Sequence, residues 1–409
     1  MILAHKIALD PTVKQRQYFA RAAGCSRFVW NIALEMWNAE YKAGGKPKAH
    51  VLKKRFNAVK YQQYPWMANI HKDAHANPFA KLQTAWGYFF EALKKGNRRI
   101  QPPKFHTKKG RNEYFYVSND KLSISKDGWS IRLPVIGTIK MRERLRFSGK
   151  IMSATVNRTA ERWYVSIHVD TKNAEQKLNR TGVTGVDLGI KNAVTLTIKN
   201  GGNEKTEMIA APKPLWNSLK SLRRMQHAIS RRKKGSSNRA KLVRRVARLH
   251  AKIAFVRKDF WDKITTRLCR ENQAVGIEDL NVRGMVKNRY LSRALTDVSF
   301  GEFKRQMKYK SQLYGTQLVL ANQWYPSSKT CSRCGYVKKS LTLADRVFCC
   351  DQCKHTEDRD INASRNLCTL AEKLVPTARG EVTLGDSGVV KPLDEPRTKP
   401  CGRLHARAS

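Results

Sequence analysis

The sequence is poor in acidic residues for its length. Its 409 residues include 32 Asp and Glu against 80 Lys and Arg, which gives a formal net charge of +48. Like charges in such excess repel one another in a compact body, so we expect a polyanionic partner to neutralise them. Nucleic acid is the obvious candidate, and its binding would release counterions and weaken steeply with salt. The alternative is a merely basic soluble protein or a ribosome-associated one.

Long apolar runs are also missing, and no secretory leader is expected. No stretch of about 18 apolar residues occurs, so no membrane span is expected. Residues Met1 to Asp10 mix polar and apolar side chains, without the basic leader, apolar stretch and cleavage site of a signal peptide. Nine cysteines are present, and five of them fall between Cys331 and Cys353. Such clustering indicates metal binding rather than a disulfide framework, so we expect a protein of a reducing cytosol.

Several catalytic signatures do not occur. The sequence contains no Walker loop, no G-x-G-x-x-G opening a helix and no G-x-S-x-G. Hydrophobic residues make up 41% of the chain, which is enough for real cores and excludes a fully disordered protein. The length favours two or three domains over one.

The first hundred residues are expected to be mainly helical. Met1 to Leu9 is expected to form a short strand, and Asp10-Pro11 is typical of a helix start with proline at the first helical position. Helical patterning continues to Tyr41 and returns over roughly Lys48 to Lys95. The second region has a cluster of aromatic residues, for which core packing is the first interpretation and stacking on bases the alternative. They are Trp86, Tyr88, Phe89 and Phe90.

Short β-type segments follow, from Ile100 to about Asp170. Gly and Asp turns separate them, and together they predict a small antiparallel barrel or sandwich. The segments are Glu113 to Val117, Lys121 to Ser125, Ser130 to Leu133 and Trp163 to Val169. Residues 173 to 184 are expected to link this region to the next domain, in which 182 to 210 are expected to form two strands joined by a turn.

A basic helical pair is predicted next. Apolar residues recur at helical spacing on both arms, with a hinge at Gly235 to Asn238. The stretch from Leu215 to Lys258 carries 15 Lys and Arg and no Asp or Glu. A charged helical face is usually only solvated, but the lack of balancing acids favours phosphate contact. The expected nucleic-acid-binding residues are Arg223, Arg224, Arg231, Arg232, Lys233, Lys234, Arg244 and Arg245.

Two Cys-x-x-Cys pairs give the strongest chemical signal. Cys331 with Cys334, and Cys350 with Cys353, are separated by about 15 residues, which suits tetrahedral thiolate binding of zinc. Four thiolates fill the coordination sphere, so the zinc is expected to be structural. Cys349 could compete with Cys350, although the spacing favours Cys350. The alternative is a set of buried, unligated thiols.

Three dispersed acids form the second signal. Asp187 lies within an apolar strand, Glu278 ends another apolar strand, and Asp360 begins a helix. Carboxylates at such positions can converge above one edge of a sheet and bind hard divalent cations. Two magnesium ions held there would clamp a phosphodiester for hydrolysis. Each acid alone has a plainer interpretation. Asp187 could be a turn residue, Glu278 a solvated residue at a strand end, and Asp360 a first-turn acid that interacts with the helix dipole.

Taken together, these motifs resemble the TnpB family, the transposon-encoded RNA-guided nucleases related to type V CRISPR effectors. Upstream, Pro103-Lys104-Phe105 and Leu133-Pro134 are also similar to that family, and the resemblance extends to about Leu374. The departures are Lys354 where the family usually has glycine, Ser364 where alanine is common, and the additional Cys349. The matching segments are Gly185 to Gly189 (GVDLG), Ser230 to Gly235, Gly276 to Leu280 (GIEDL), Tyr325 to Gly335 (YPSSKTCSRCG), Cys350 to Cys353, and Asp358 to Ala363 (DRDINA).

The resemblance implies a multidomain α+β fold. It implies an RNase H-like (RuvC) α/β nuclease domain with an inserted four-cysteine zinc finger, and an N-terminal β-barrel wedge with an inserted helical recognition domain. The expected boundaries are residues 1–9 and 97–172 for the wedge, 10–96 for the recognition domain, 180–328 and 355–374 for the nuclease domain, 329–354 for the finger, and 375–409 for a disordered tail.

The resemblance also implies a function. Asp187, Glu278 and Asp360 match the family's magnesium-binding catalytic acids, and Cys331, Cys334, Cys350 and Cys353 match its zinc ligands. The implied partners are a guide RNA from the transposon end and double-stranded target DNA, bound by a monomeric protein in the prokaryotic cytosol or nucleoid. The alternatives are an RNA-guided DNA-binding regulator that has lost cleavage and a conventional transposase with an RNase H-like core.

Overall fold

A computed structural model describes residues 1–108, 113–171, 180–342 and 345–374. The chain separates into two compact units. The first unit comprises Met1–Ala174 and Met225–Ala251, and the second comprises Glu175–Arg224 and Lys252–Ser409. The expected tail at 375–409 and most of the expected linker at 173–184 lie outside the described residues.

The first unit combines an antiparallel sheet with helices. Its strands follow the open order β2-β6-β7-β1-β5-β4-β3, with β1 in the centre. Pairing of β2 with β3 is absent from the described residues, so closure into a barrel stays a prediction. The elements in chain order are β1 (Ile2–Asp10), α1 (Val13–Lys42), α2 (Ala49–Gln63), α3 (Lys72–Lys94), β2 (Tyr114–Ser118), β3 (Ser123–Ile124), β4 (Ser130–Leu133), β5 (Gly137–Met141), β6 (Lys150–Thr159) and β7 (Arg162–Asp170).

One detail of the expected helices is wrong. Asp10 does not cap α1, because it stays in β1 opposite Lys140. The cap is Thr12, whose hydroxyl accepts from the Gln15 backbone N–H while the Gln15 side chain accepts from the Thr12 N–H, a reciprocal capping box. The helical region expected over roughly Lys48 to Lys95 consists of two helices, α2 and α3, separated by a 3₁₀ turn that begins at Pro65.

The aromatic cluster in α3 is only partly buried. Trp86 stacks on the buried Trp37 with ring centroids 5.7 Å apart, and it packs against the first unit's core. Tyr88, by contrast, is exposed. Core packing therefore holds for Trp86 but not for the whole cluster. No helix among the described residues is both long and apolar enough to cross a membrane.

The second unit is built on a mixed five-stranded sheet. Its order is β10-β9-β8-β11-β12, in which β8, β11 and β12 run parallel and β9 and β10 are antiparallel additions. The elements are β8 (Gly182–Asp187), β9 (Asn192–Asn200), β10 (Asn203–Ala210), α4 (Pro214–Ser230), α5 (Ser237–Glu271), β11 (Asn272–Glu278), α6 (Val282–Met285), α7 (Ser292–Val298), α8 (Phe300–Tyr314), β12 (Gln317–Ala321), β13 (Val347–Cys349), β14 (Thr356–Asp358) and α9 (Arg359–Leu374).

Helix α9 packs across β8, β9 and β11 at very short range. A Cβ on Gly185 of β8 would overlap backbone atoms of Ser364 and Cys368, and a Cβ on Gly276 of β11 would overlap the carbonyl of Leu367. The neighbouring strands contribute small or branched side chains that pack against Cys368 and Ala371. The two glycines therefore set how closely α9 approaches the sheet.

We predict that Gly185→Ala destabilises the second unit. The added methyl group overlaps backbone rather than a movable side chain, so we expect a loss of about 1–3 kcal/mol or more. The control is Gly301→Ala in α8, where a Cβ would meet nothing within 4 Å and the gain in helix propensity is about 0.5–1 kcal/mol. Thermal unfolding of both variants checks this, and an unchanged melting temperature for Gly185→Ala would contradict it.

Candidate active site and metal centre

The three acids singled out in the sequence meet at one end of the second unit's sheet. Asp187 is the last residue of β8 and Glu278 is the last residue of β11, and the register Val186 to Ile277 makes the two acids neighbours. Asp360 lies in the first turn of α9. Its turn is held by Asp358, whose side chain accepts from the Asp360 N–H at 2.9 Å. Parallel strand ends and a helix start thus present three carboxylates together.

The electrostatics of the site confirm that the acids interact. Burial raises the pKa of Asp187 well above its usual value, and the charges of Glu278 and Asp360 raise it further. Arg359, whose Nε lies 3.6 Å from Oδ1 of Asp360, lowers the pKa of Asp187. Burial also raises the pKa of Glu278. A cluster of partly buried, mutually repelling carboxylates is stabilised by a cation between them.

The carboxylates are spread more widely than the cysteines. Among the described residues, the cysteine group is the one whose ligand atoms all lie within 4.8 Å of one another. The wider spread of the acids would leave room for a pair of cations, which would supply the chemistry of phosphodiester hydrolysis. The donor chemistry fits magnesium, which prefers oxygen ligands.

The sequence reasoning missed a hydroxyl that contacts the site. The buried Ser327 donates a hydrogen bond from its hydroxyl to Oε1 of Glu278, and this bond lowers the pKa of Glu278. The sequence identifies Ser327 only as part of the family-like segment before the first cysteine pair. Its contact with Glu278 joins positions 49 residues apart, so no local signal in the sequence could have revealed it.

Two buried asparagines attach this segment to α9. The side-chain amides of Asn362 and Asn366 each donate to the carbonyl of Thr330 at 2.7 Å. Asn366 also donates to the Ser327 carbonyl at 2.7 Å, and Asn362 accepts from the Ser332 N–H at 2.9 Å. The helix that carries Asp360 therefore also fixes the chain that enters the cysteine cluster.

The four predicted cysteines lie together. The sulfur of Cys331 is 3.6 Å from that of Cys353, and the sulfur of Cys334 is 3.6 Å from that of Cys350. Cys349 is exposed at the end of β13 and does not belong to the group, whereas Cys350 is buried. Four convergent thiols of this kind suit a structural zinc ion.

Both cysteine knuckles have the expected turn. The N–H of Gly335 donates to the Cys331 carbonyl at 2.9 Å, with Gly335 at φ +77°. In the second knuckle the N–H of Lys354 donates to the Cys350 carbonyl at 3.1 Å, with Lys354 at φ +58°. A side chain in this left-handed region costs roughly 1–2 kcal/mol. The departure from glycine at Lys354 therefore keeps the turn and adds local strain.

The predicted basic residues are all exposed. Arg244 lies 3.7 Å from Glu161, which also pairs with Arg248. Within the described part of the chain, the other seven have no ion-pair partner. They are Arg223, Arg224, Arg231, Arg232, Lys233, Lys234 and Arg245.

Comparison with known proteins places these residues in a family. A relative from Streptomyces pristinaespiralis, named "Putative RNA-guided DNA endonuclease", is 33% identical over 390 residues, covering 92% of this chain and 91% of the relative. The chain belongs to the TnpB family. A relative of the same description from Escherichia coli K12 is 28% identical and covers 89% of this chain and 91% of its own length.

Three family models match successive parts of the chain. A "Helix-turn-helix domain" model matches residues 1–46, a "Probable transposase" model matches 166–289, and a "Cas12f1-like, TNB domain" model matches 300–367. The second range contains Asp187 and Glu278, and the third contains the four clustered cysteines and Asp360. Among solved structures, a mini-RNA-guided endonuclease named CRISPR-Cas phi3 aligns at 10% identity with a TM-score of 0.47, covering 91% of this chain and 92% of its own.

We predict that Cys331→Ser loses the structural metal. Removing one of four thiolates opens the coordination sphere, so we expect loss of bound zinc and a lower melting temperature. The control is Cys349→Ser, which changes the exposed fifth thiol and should keep the wild-type zinc content. Elemental analysis of the purified proteins measures this. Retained zinc in Cys331→Ser, or lost zinc in Cys349→Ser, would show that the ligand set is different.

Proposed function

We propose that this chain is an RNA-guided, magnesium-dependent DNA endonuclease of a transposable element, which cuts target DNA next to a short transposon-associated motif. The observation that carries the proposal is the meeting of Asp187, Glu278 and Asp360 at one sheet edge, where burial and then the charges of Glu278 and Asp360 raise the pKa of Asp187. The two relatives named as RNA-guided DNA endonucleases support it, since their alignments cover about nine tenths of the chain.

The proposed chemistry is phosphodiester hydrolysis in an RNase H-like core. Bound magnesium would activate water and stabilise the leaving oxygen. Asp187, Glu278 and Asp360 would hold the ions. Burial and the neighbouring charges of Glu278 and Asp360 raise the pKa of Asp187, and a bound cation would favour its carboxylate form. Ser327 keeps Glu278 in a fixed orientation through its hydrogen bond.

The positive charge supports nucleic-acid partners. The stretch from Leu215 to Lys258 has 15 basic residues and no acid, and its seven unpaired predicted contacts are exposed to solvent. We infer that these basic residues contact the phosphates of a guide RNA from the transposon end or of double-stranded target DNA. Base pairing with the guide would supply specificity while the protein reads backbone shape. We propose one protein chain with one RNA, in the prokaryotic cytosol.

We predict that Asp187→Ala abolishes cutting but preserves guide binding. Removing one ligand of the catalytic cations should lower the cleavage rate by on the order of 10²-fold or more. The matched control is Asp279→Ala, which removes the acid next to Glu278 that pairs with Lys304 instead. The measurement is magnesium-dependent cleavage of a plasmid library with randomised flanks, using protein purified with its transposon-end RNA.

The same assay separates the alternative functions. Guide-dependent cutting beside one enriched motif by the wild-type protein, lost in Asp187→Ala, is the expected result. Wild-type binding without cutting would favour an RNA-guided regulator. Neither RNA retention nor cutting would favour a conventional transposase, for which the "Probable transposase" model is the supporting observation. Undiminished cutting by Asp187→Ala would overturn the assignment of the site.

We predict that Ser327→Ala weakens magnesium use. The variant leaves Glu278 without its hydroxyl partner, and loss of such a supporting contact typically costs about 10–100-fold in metal affinity or activity. The control is Ser328→Ala at the next position. We expect the magnesium concentration for half-maximal cleavage to rise in Ser327→Ala and to stay at the wild-type value in Ser328→Ala. Equal magnesium curves for the two variants would exclude a positioning role for Ser327.

A further inference from the structure

A groove in the second unit is lined by aromatic and basic side chains. Its volume is about 660 Å³, which is within the usual range for ligand sites. Two large rings in it are strongly exposed, Trp216 at 66% and Tyr290 at 80%. We call it the Trp216 groove, and its principal residues are Ile190, Lys213, Trp216, Arg289, Tyr290 and Arg293.

The backbone beneath the Trp216 ring is held in place. The buried carboxylate of Asp297, in α7, accepts hydrogen bonds at 2.9 Å from the N–H groups of Leu215 and Trp216 in the first turn of α4. Arg257 pairs with the same carboxylate at 2.9 Å. The Trp216 side chain is thus exposed from a fixed helix start rather than from a loose loop. Together with the exposed Tyr290 in the same groove, this ring forms an aromatic patch of the kind that marks interaction sites.

Tyr290 is also restrained on the opposite lining segment. Its N–H donates to Asn288 Oδ1 at 3.0 Å, and the guanidinium of Arg289 lies over its ring, 5.3 Å from the centroid. The Tyr290 ring and the Arg289 guanidinium therefore present an apolar face and a positive charge next to each other.

The charge of the groove is positive. Lys213, Arg289 and Arg293 are exposed, while the acid in the lining, Asp297, is buried and already bound by Arg257 and two N–H groups. Aromatic faces combined with cations are the chemistry that binds single-stranded nucleic acid, because bases stack on the rings and phosphates pair with the cations. Duplex DNA would not offer its base faces.

The groove is connected through the chain to the strand end that carries Asp187. Ile190, which lines it, follows Asp187 by three residues, a span of at most about 11 Å of extended chain. A strand bound there with its bases unpaired would therefore lie on the side of the sheet edge that carries Asp187. A guide RNA strand in that position would lie against the hydrolytic site, so DNA is the favoured occupant.

We propose that the Trp216 groove binds single-stranded target DNA, with bases stacked on Trp216 and Tyr290 and phosphates paired with Lys213, Arg289 and Arg293. This inference rests on the proposed function and adds the path by which an unpaired strand approaches the acids. Since stacking tolerates any base, the groove contributes affinity without sequence preference.

The test measures binding separately from cutting. The complex of the full chain with guide RNA, without magnesium, is titrated against a fluorescent oligo-dT of about 12 nucleotides that does not match the guide. We expect Trp216→Ala and Tyr290→Ala each to weaken binding on the order of tenfold, and Trp216→Phe to retain most of it because a ring remains. The control is Tyr88→Ala, which removes a ring that is 67% exposed in the first unit.

A charge variant and two alternative results complete the test of the Trp216 groove. Arg293→Gln should reduce the salt dependence of oligo-dT binding, since a phosphate contact is lost. Oligo-dT affinity equal to wild type in both alanine variants, with unchanged melting temperatures, would overturn the proposal. Weaker guide loading with unchanged oligo-dT binding would also overturn it, and would make the groove an RNA surface.

The two proposals fail in different ways. If the wild-type protein does not cut DNA but ring removal still weakens oligo-dT binding, the proposed nuclease function fails while the groove stands. If the protein cuts and the ring variants bind and cut as the wild type does, only the groove is refuted.

Discussion

The close approach of α9 to the five-stranded sheet is the contact on which the candidate site depends. It is possible because Gly185 and Gly276 have no side chain, so the backbone of α9 lies where a Cβ would otherwise be. At this distance the first turn of α9 brings Asp360 near the ends of β8 and β11. Burial raises the pKa of Asp187 there, and the charges of Glu278 and Asp360 raise it further. A helix one side chain further from the sheet would separate Asp360 from the other two acids.

The same helix ties the cysteine cluster to the acids. Asn362 and Asn366 are four residues apart and therefore share a face of α9, from which both hold the segment that precedes Cys331. That segment includes Ser327, which reaches Glu278. The cysteine cluster therefore does more than stabilise its own loops, because the segment that leads into it also contacts Glu278. The hydrogen bonds of the buried Asn362 and Asn366 amides hold this segment in place, because breaking one would leave a polar group unpaired in the interior at a cost in free energy.

The charge of the candidate site is opposite in sign to the net charge of the chain. The chain as a whole carries a net charge of +48, yet its candidate site is a partly buried group of acids. Exposed cations attract a polyanion over a distance set by salt, whereas the carboxylates would repel phosphate unless cations were bound between them. Exposed cations therefore attract the nucleic acid, and a separate group of carboxylates would carry out its hydrolysis. In our proposal, the rings of the Trp216 groove add base stacking to the binding by exposed cations.

Much of the site could be predicted from local sequence because its parts are local. The cysteine spacing predicted a four-thiol group. The apolar run before Glu278 predicted a strand that ends at this acid, and it does, whereas Asp187 was expected within a strand and is the last residue of β8. Helix α8 was expected at Phe300 to Tyr314 and lies there. By contrast, β5 and β6 were not among the expected strands. The alternation in β5 covers only five residues, and two adjacent buried residues interrupt it in β6.

The sequence by itself determined the charge, the metal-binding chemistry and the types of element that carry the acids. Only the tertiary structure decided that Thr12 rather than Asp10 caps α1, that Ser327 bonds to Glu278, and that Trp216 and Tyr290 line one groove. Thr12 caps α1 because Asp10, the other candidate for the cap, is paired with Lys140 in the sheet. The other two join residues 49 and 74 positions apart, and such contacts exist only after the chain has folded.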